Sequence, residues 1–219
     1  MLGELSRWFF DTSEDEIPMR ISPDRPQKTG VSKGRDCVLV VDASGSMESD
    51  DWPPTRLDGA KEASKEFCRR LALEDSDARI AIVAYGCDAE TYCPLITARE
   101  LTRLEQAIDE IDSLGSTNMR AGLKQALYLL SHSQRDCQVV FLSDGENTGH
   151  SPYPVAAKLR KKAVINCVGI GGSPSDVDEG LMKKVASEYP DGSKRYRWIG
   201  DREGLVKHFH NLAGRITRS

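Results

Sequence analysis

Three oxygen-bearing side chains stand at alternate positions in Asp42-Ala43-Ser44-Gly45-Ser46. A hard divalent cation wants several oxygen ligands, and Mg²⁺ asks for a near-octahedral set while keeping some of its waters. Asp42, Ser44 and Ser46 can offer such oxygens from one tight loop, which Gly45 lets turn closely around an ion. A second carboxylate, Asp144, stands in Ser143-Asp144-Gly145. Two formal negative charges and several neutral hydroxyls would leave a bound ion electrophilic and able to take one further carboxylate. Taken singly, each residue has a plainer use, the aspartates as helix caps and the serines as turn formers.

Both loops follow apolar runs. Cys37-Val38-Leu39-Val40-Val41 leads into Asp42, and Cys137-Gln138-Val139-Val140-Phe141-Leu142 leads into Ser143. Continuous runs of this kind suit strands buried on both faces of a parallel sheet. Ligands of open α/β sheets bind beyond the carboxyl ends of strands, so the two loops should meet at one rim. Leu57, Ala60, Ala63, Phe67 and Leu71 recur at helical spacing within residues 57–73. Residues 78–85 and 91–96 read as strands joined by a link too short for a helical crossover. That pair must be antiparallel, with the second strand at the sheet edge. Further helices are expected over 101–111, 121–130, 155–162, 177–188 and 203–216, and further strands over 164–170 and 195–199. The alternation predicts an α/β fold, a mostly parallel sheet with helices on both faces. Residues 1–35, with Pro18, Pro23 and Pro26, read as an N-terminal arm whose Trp8 and Phe9 are expected to dock. The domain proper is expected over residues 36–219.

The chain has 219 residues, 39% hydrophobic and 29% charged, which suits one globular domain with appendages. A net charge of -4 argues against a nucleic-acid partner. No apolar run approaches the ~20 residues of a membrane span. Residues 1–20 lack the basic-then-apolar order of a secretory signal, so a cytoplasmic location is expected. The cysteines Cys37, Cys68, Cys87, Cys93, Cys137 and Cys167 are then expected to be reduced. Cys87 and Cys93 could face each other across a hairpin.

Other chemistries fit less well. Gly169-Ile170-Gly171-Gly172 lacks the spacing of a dinucleotide-binding turn and is better read as a tight turn. No GxSxG elbow accompanies the four histidines, of which only His150 lies near the expected rim. Asp42 as a phosphoryl acceptor is the strongest enzymatic rival. Ser44, however, stands where such enzymes place an acid, and no obvious phosphate-binding lysine follows. The run Lys158, Arg160, Lys161 and Lys162 reads as a solvated helix face.

Asp42-Ala43-Ser44-Gly45-Ser46-Met47 resembles the DxSGS motif of von Willebrand factor type A domains, which opens their metal-ion-dependent adhesion site. Gly115-Ser116-Thr117-Asn118-Met119 is similar to that family's threonine-bearing loop, and Ser143-Asp144-Gly145 to its (T/S)DG element. The resemblance covers roughly Asp36 to the C-terminus. Ser116 stands where the family often has glycine, and Ser143 where threonine is common. The resemblance implies a Rossmann-like sheet with one antiparallel edge strand. It also implies a metal site of Asp42, Ser44, Ser46, Thr117 and Asp144, with the three hydroxyls binding directly and the carboxylates mainly through water. The implied ion is Mg²⁺, with Mn²⁺ or Ca²⁺ as alternatives, and the implied partner is a protein that supplies a Glu or Asp. The expected activity is therefore non-enzymatic, Mg²⁺-dependent protein binding. The alternatives are a metal-dependent phosphoester hydrolase or a regulatory subunit of an ATPase complex. Glu48, Asp50, Asp51, Trp52 and His150 are the candidates for reading the partner. For Trp52, packing against the helix after Thr55 is the plainer expectation.

Overall fold

A computed structural model describes residues 34–145 and 147–217. The first strand, β1, runs Arg35–Asp42, and all eight of its residues are buried. Six strands form one sheet with β1 well inside it. They are β2 (Arg79–Tyr85), β3 (Ala89–Thr97), β4 (Asp136–Ser143), β5 (Val164–Ile170) and β6 (Tyr196–Ile199), in the order β3-β2-β1-β4-β5-β6. Every neighbouring pair is parallel except β2–β3, so the expected antiparallel edge strand is present. The chain leaves β1 toward β2 on one side and later returns to β4 on the other. The carboxyl ends of β1 and β4 therefore lie side by side at a topological switch point, where loops diverge and open a crevice.

Burial on both sheet faces explains why the strands lack polar alternation. Cys37, Leu39, Val41, Ile80 and Ile82 share one core with α1 (Arg56–Glu74), α2 (Leu101–Asp109) and α6 (Arg202–Ile216). Phe67 of α1 meets Phe209 of α6 edge-on, with ring centroids 6.2 Å apart. The opposite face, with Val40 and Tyr85, receives α3 (Met119–Leu130). Tyr85 stacks on Phe141 at 5.2 Å. Two short helices complete the fold, α4 (Tyr153–Arg160) and α5 (Glu179–Val185). The N-terminus of α1 is fixed by Thr55, whose hydroxyl accepts from the Asp58 backbone N–H at 3.1 Å.

The helix expected over 177–188 is shorter at both ends. Val177 is extended, and Ser187 is captured by β5, its N–H donating to Ile165 O and its hydroxyl accepting from Ile165 N–H, each at 2.9 Å. Those bonds pull the chain out of the helix. All six cysteines are free, Cys87 exposed and Cys93 buried, so they do not bridge the hairpin. The arm expected over residues 1–35 lies outside the described residues except at its end, where Arg35 opens β1. Among the described residues no helix is long and apolar enough to cross a membrane.

Two glycines test how tightly the layers fit. A Cβ at Gly122 would lie 2.9 Å from both Val40 and the Tyr85 ring, whereas one at Gly214 would find nothing nearer than 3.8 Å. Gly122→Ala should destabilise by about 1–3 kcal/mol despite its better helix propensity. Gly214→Ala should stabilise by up to about 1 kcal/mol, so urea midpoints should move in opposite directions. A pH effect is expected from α6. Burial, with Arg197 and Arg215 nearby, pushes the His208 imidazole down to about 4 from an ordinary 6.5. In that window the folded protein binds fewer protons here than the unfolded chain, so stability is lost as pH falls from 6.5 toward 4. Melting curves of His208→Gln should lose that part of the pH dependence.

Candidate metal centre

At the carboxyl end of β1 the Asp42 side chain is fully buried. Its Oδ1 accepts from the Ser44 backbone N–H at 2.9 Å, a local turn that folds the loop back over the strand end. Its Oδ2 accepts from the Ser143 hydroxyl at 2.6 Å and the Tyr85 hydroxyl at 3.0 Å. No cation lies within ion-pairing distance of Asp42 among the described residues. Burial pushes its carboxyl up to about 6; the Ser143 and Ser44 hydrogen bonds oppose this, and the neighbouring Asp144 charge adds to it.

The other end of β1 shows the contrast. Asp36 is equally buried, but Arg79 donates to both its oxygens at 2.8 and 2.6 Å, and Ser133 adds a third bond. Burial again pushes upward, yet these bonds and charges hold Asp36 below the usual carboxylate range. One aspartate of the strand thus has its counter-ion within the fold, and the other has only hydroxyls and an amide.

The remaining oxygens lie beside Asp42. Ser44 Oγ is 3.1 Å from Ser46 Oγ, and Ser46 donates to Asp144 Oδ1 at 2.7 Å. Asp144, 2% exposed, reaches this point from the end of β4, because Asp42 and Ser143 sit on paired neighbouring strands. In an octahedron with ligands at 2.0–2.1 Å, adjacent oxygens are about 2.9 Å apart. The separations between these three side chains are ordinary hydrogen-bond lengths that the edges of such an octahedron also match, and the all-oxygen donor set fits a hard cation. Among the described residues no three His, Cys, Asp or Glu groups are arranged so that they alone could hold a metal ion, so hydroxyls would carry much of the coordination.

Thr117 reaches the same rim by main-chain bonds. Gly45 N–H donates to Gly115 O at 2.7 Å, Leu114 N–H to Ala43 O at 2.6 Å, and Asn118 N–H to Gly86 O at 2.8 Å. Thr148 closes the loop from the other side, bonding both N–H and carbonyl of Thr117. The conformational burden falls on Gly115, with φ +86°, rather than on Gly45, where a Cβ would find 3.8 Å of room. Gly45 is thus not needed for a left-handed turn, because residues 45–48 form an ordinary 3₁₀ turn. Trp52 is 4% exposed and lies against Gly59 of α1, so it packs and does not face a partner. Glu48, Asp50 and His150 are exposed.

Two residues of the site were missed in the sequence. Tyr85 is level with Asp42 on the neighbouring strand, a place any β1–β2 register would have indicated. Arg56 opens α1 and donates to Asp144 Oδ2 at 3.0 Å. Its signal was a cation in the first turn of a helix, where a cation is disfavoured.

In protein kept free of divalent ions at neutral pH, the two ends of β1 should respond differently. Asp36→Asn strips Arg79 of its partner and should cost about 2 kcal/mol or more. Asp42→Asn removes an uncompensated buried charge and should stay within about 1 kcal/mol of the parent. Equal losses in urea unfolding would contradict the asymmetry.

The profile of the von Willebrand factor type A domain matches residues 37–146, half of the chain. The uncharacterized protein YfbK of Escherichia coli is 28% identical over 174 residues, covering 74% of this chain and 28% of YfbK. The chain spans about half the length, or less, of the curated relatives it matches. Among solved structures, the fold is similar to the vWF domain of the pili tip protein Mfa5 from Porphyromonas gingivalis. That match has a TM-score of 0.73 at 15% identity and covers 86% of this chain and 97% of that one. It is also similar to proximal thread matrix protein 1 from the mussel byssus, solved with a zinc-occupied MIDAS motif. There the TM-score is 0.70 at 22% identity, covering 85% of this chain and 46% of that one. Domains of this type typically serve as protein-interaction modules. With the profile spanning the loops of Asp42, Thr117 and Asp144, the chain belongs to the von Willebrand factor type A domain family.

Proposed function

We propose that this domain is a metal-dependent interaction module, its ion held by Asp42, Ser44, Ser46, Thr117 and Asp144 and its partner a protein supplying a Glu or Asp. The observation that carries this reading is a buried Asp42 with no cation partner among the described residues, beside the contiguous oxygens of Ser44, Ser46 and Asp144. A divalent ion there would supply an electrophilic position for an incoming carboxylate. The mussel protein's zinc-occupied MIDAS motif supports a metal at the matching rim. Oxygen-only donors favour a hard ion, and we take it to be Mg²⁺, with Mn²⁺ as its laboratory substitute.

The residues divide the work. Ser44, Ser46 and Thr117 present neutral hydroxyls, which leave the ion's charge largely available to the partner. Asp42 sets the Ser44 loop through its amide bond, and Ser143 and Tyr85 hold Asp42 in turn. Asp144 orients Ser46. We read the module as non-catalytic. A phosphoryl acceptor needs an approachable carboxylate, whereas Asp42 is fully buried with both oxygens engaged. We take the exposed Glu48, Asp50 and His150 as the side chains that would sense what surrounds the incoming carboxylate.

Ser46→Ala and Asp144→Ala remove ligands at the rim without opening a core cavity. Both should keep the parent's circular dichroism and lose about tenfold or more in Mn²⁺ affinity by calorimetry. Both should also lose the Mg²⁺-dependent, chelator-sensitive part of partner capture. Retained Mn²⁺ affinity in both variants would sink the metal assignment, and metal binding with chelator-insensitive capture would sink the recognition mechanism.

A further inference from the structure

Arg56 is the residue of the rim that the metal reading leaves unexplained. Its guanidinium is 12% exposed and touches carboxylates from three loops. Nε and Nη2 grip Asp51 at 2.8 and 2.6 Å, Nη1 donates to Asp144 Oδ2 at 3.0 Å, and Nη2 lies 3.8 Å from Asp176. With Ser46 on Oδ1, both oxygens of Asp144 are engaged. The position is costly for the helix, because Arg56 is the first residue of α1 and its charge opposes the helix dipole. The carboxylates must outweigh that cost. A bidentate fork on Asp51 also fixes the guanidinium, so it cannot simply swing into solvent when a second cation arrives.

We propose that Arg56 is a built-in counter-cation of the metal site, neutralising Asp144 when no ion is bound and competing with a divalent ion for that carboxylate. Arg56 thereby sets the metal affinity low, so that the ion is held firmly only when a partner carboxylate joins it. The inference rests on the metal reading given above. Its physical basis is repulsion between a fixed guanidinium and a divalent ion that share one carboxylate in a poorly solvated crevice, where salt screens weakly. Asp176, 3.8 Å from Nη2, keeps a further acid of the loop after β5 beside the guanidinium.

The test titrates Mn²⁺ into the chelator-treated full chain, following free Mn²⁺ by electron paramagnetic resonance, for the parent, Arg56→Gln and Arg56→Lys. Removing the charge should tighten Mn²⁺ binding by about tenfold or more. Lysine keeps the charge without the fork and should fall between the two, severalfold tighter than the parent. Metal-free Arg56→Gln should melt below the metal-free parent, with the gap closing at saturating Mn²⁺. A folded Arg56→Gln whose Mn²⁺ affinity equals or falls below the parent's overturns the proposal while leaving the metal site standing. Should Arg56→Gln fail to fold, Arg56→Lys decides: tighter binding supports the competition, and equal or weaker binding overturns it. Binding by Arg56→Gln but not the parent supports it in the extreme, whereas no binding by any of the three removes the metal reading and this inference together.

Discussion

Burying a carboxylate without a cation is costly, and the Asp42 end of β1 is organised around meeting that cost with neutral donors. Three donors converge on it, from its own loop, from β2 and from the end of β4. Each comes from a different segment, so the carboxylate can be satisfied only when β1, β2 and β4 are in register. The single proton of the Tyr85 hydroxyl lies between Asp42 Oδ2 and Leu142 O, 3.0 and 3.2 Å away, and so links both neighbours of β1. Hydrogen bonds of this kind hold the charge in place without cancelling it. What remains is a fixed negative potential at the switch point of the sheet, facing the oxygens of Ser44, Ser46 and Asp144.

The two ends of β1 show how one strand separates stability from function. Asp36 is locked by Arg79 and Ser133 and leaves nothing for a ligand. Asp42, six residues on, has no cation beside it among the described residues, and Arg56 reaches only its neighbour Asp144. Parallel strands place all their carboxyl ends at one rim, so loops there can change without disturbing the Asp36 end.

Much of this was readable in the residues. The apolar runs before Asp42 and Asp144 gave both strands, and a short link gave the antiparallel β3, because these signals are local and periodic. That the oxygens of Ser44, Ser46 and Asp144 would lie together was legible because both loops follow strands whose carboxyl ends share one rim. Arg56 and Tyr85 were not, since their roles depend on contacts across 88 and 43 residues of chain. Trp52 could be read either way, and packing on Gly59 of α1 decided it. The shortened α5 followed the same rule, its helical pattern losing to the bonds that β5 makes with Ser187.

The loop of residues 112–118 is tied to the chain just beyond β1 and β2 chiefly through its backbone, with the Ser116 and Asn118 side chains adding bonds to Cys87. Amide and carbonyl groups are common to every residue type, so most of the fastening does not depend on which side chains the loop carries. Gly115, with its left-handed backbone and a position where a Cβ would lie only 2.8 Å from Cys87 Sγ, is the point that must stay fixed. Asp112 and Ser113 take no part in this fastening, so substitution there should leave Thr117 in place. A lineage carrying this domain could change those two positions by point substitution while Thr117 keeps its place. That separates a replaceable surface from a fixed residue within seven consecutive residues.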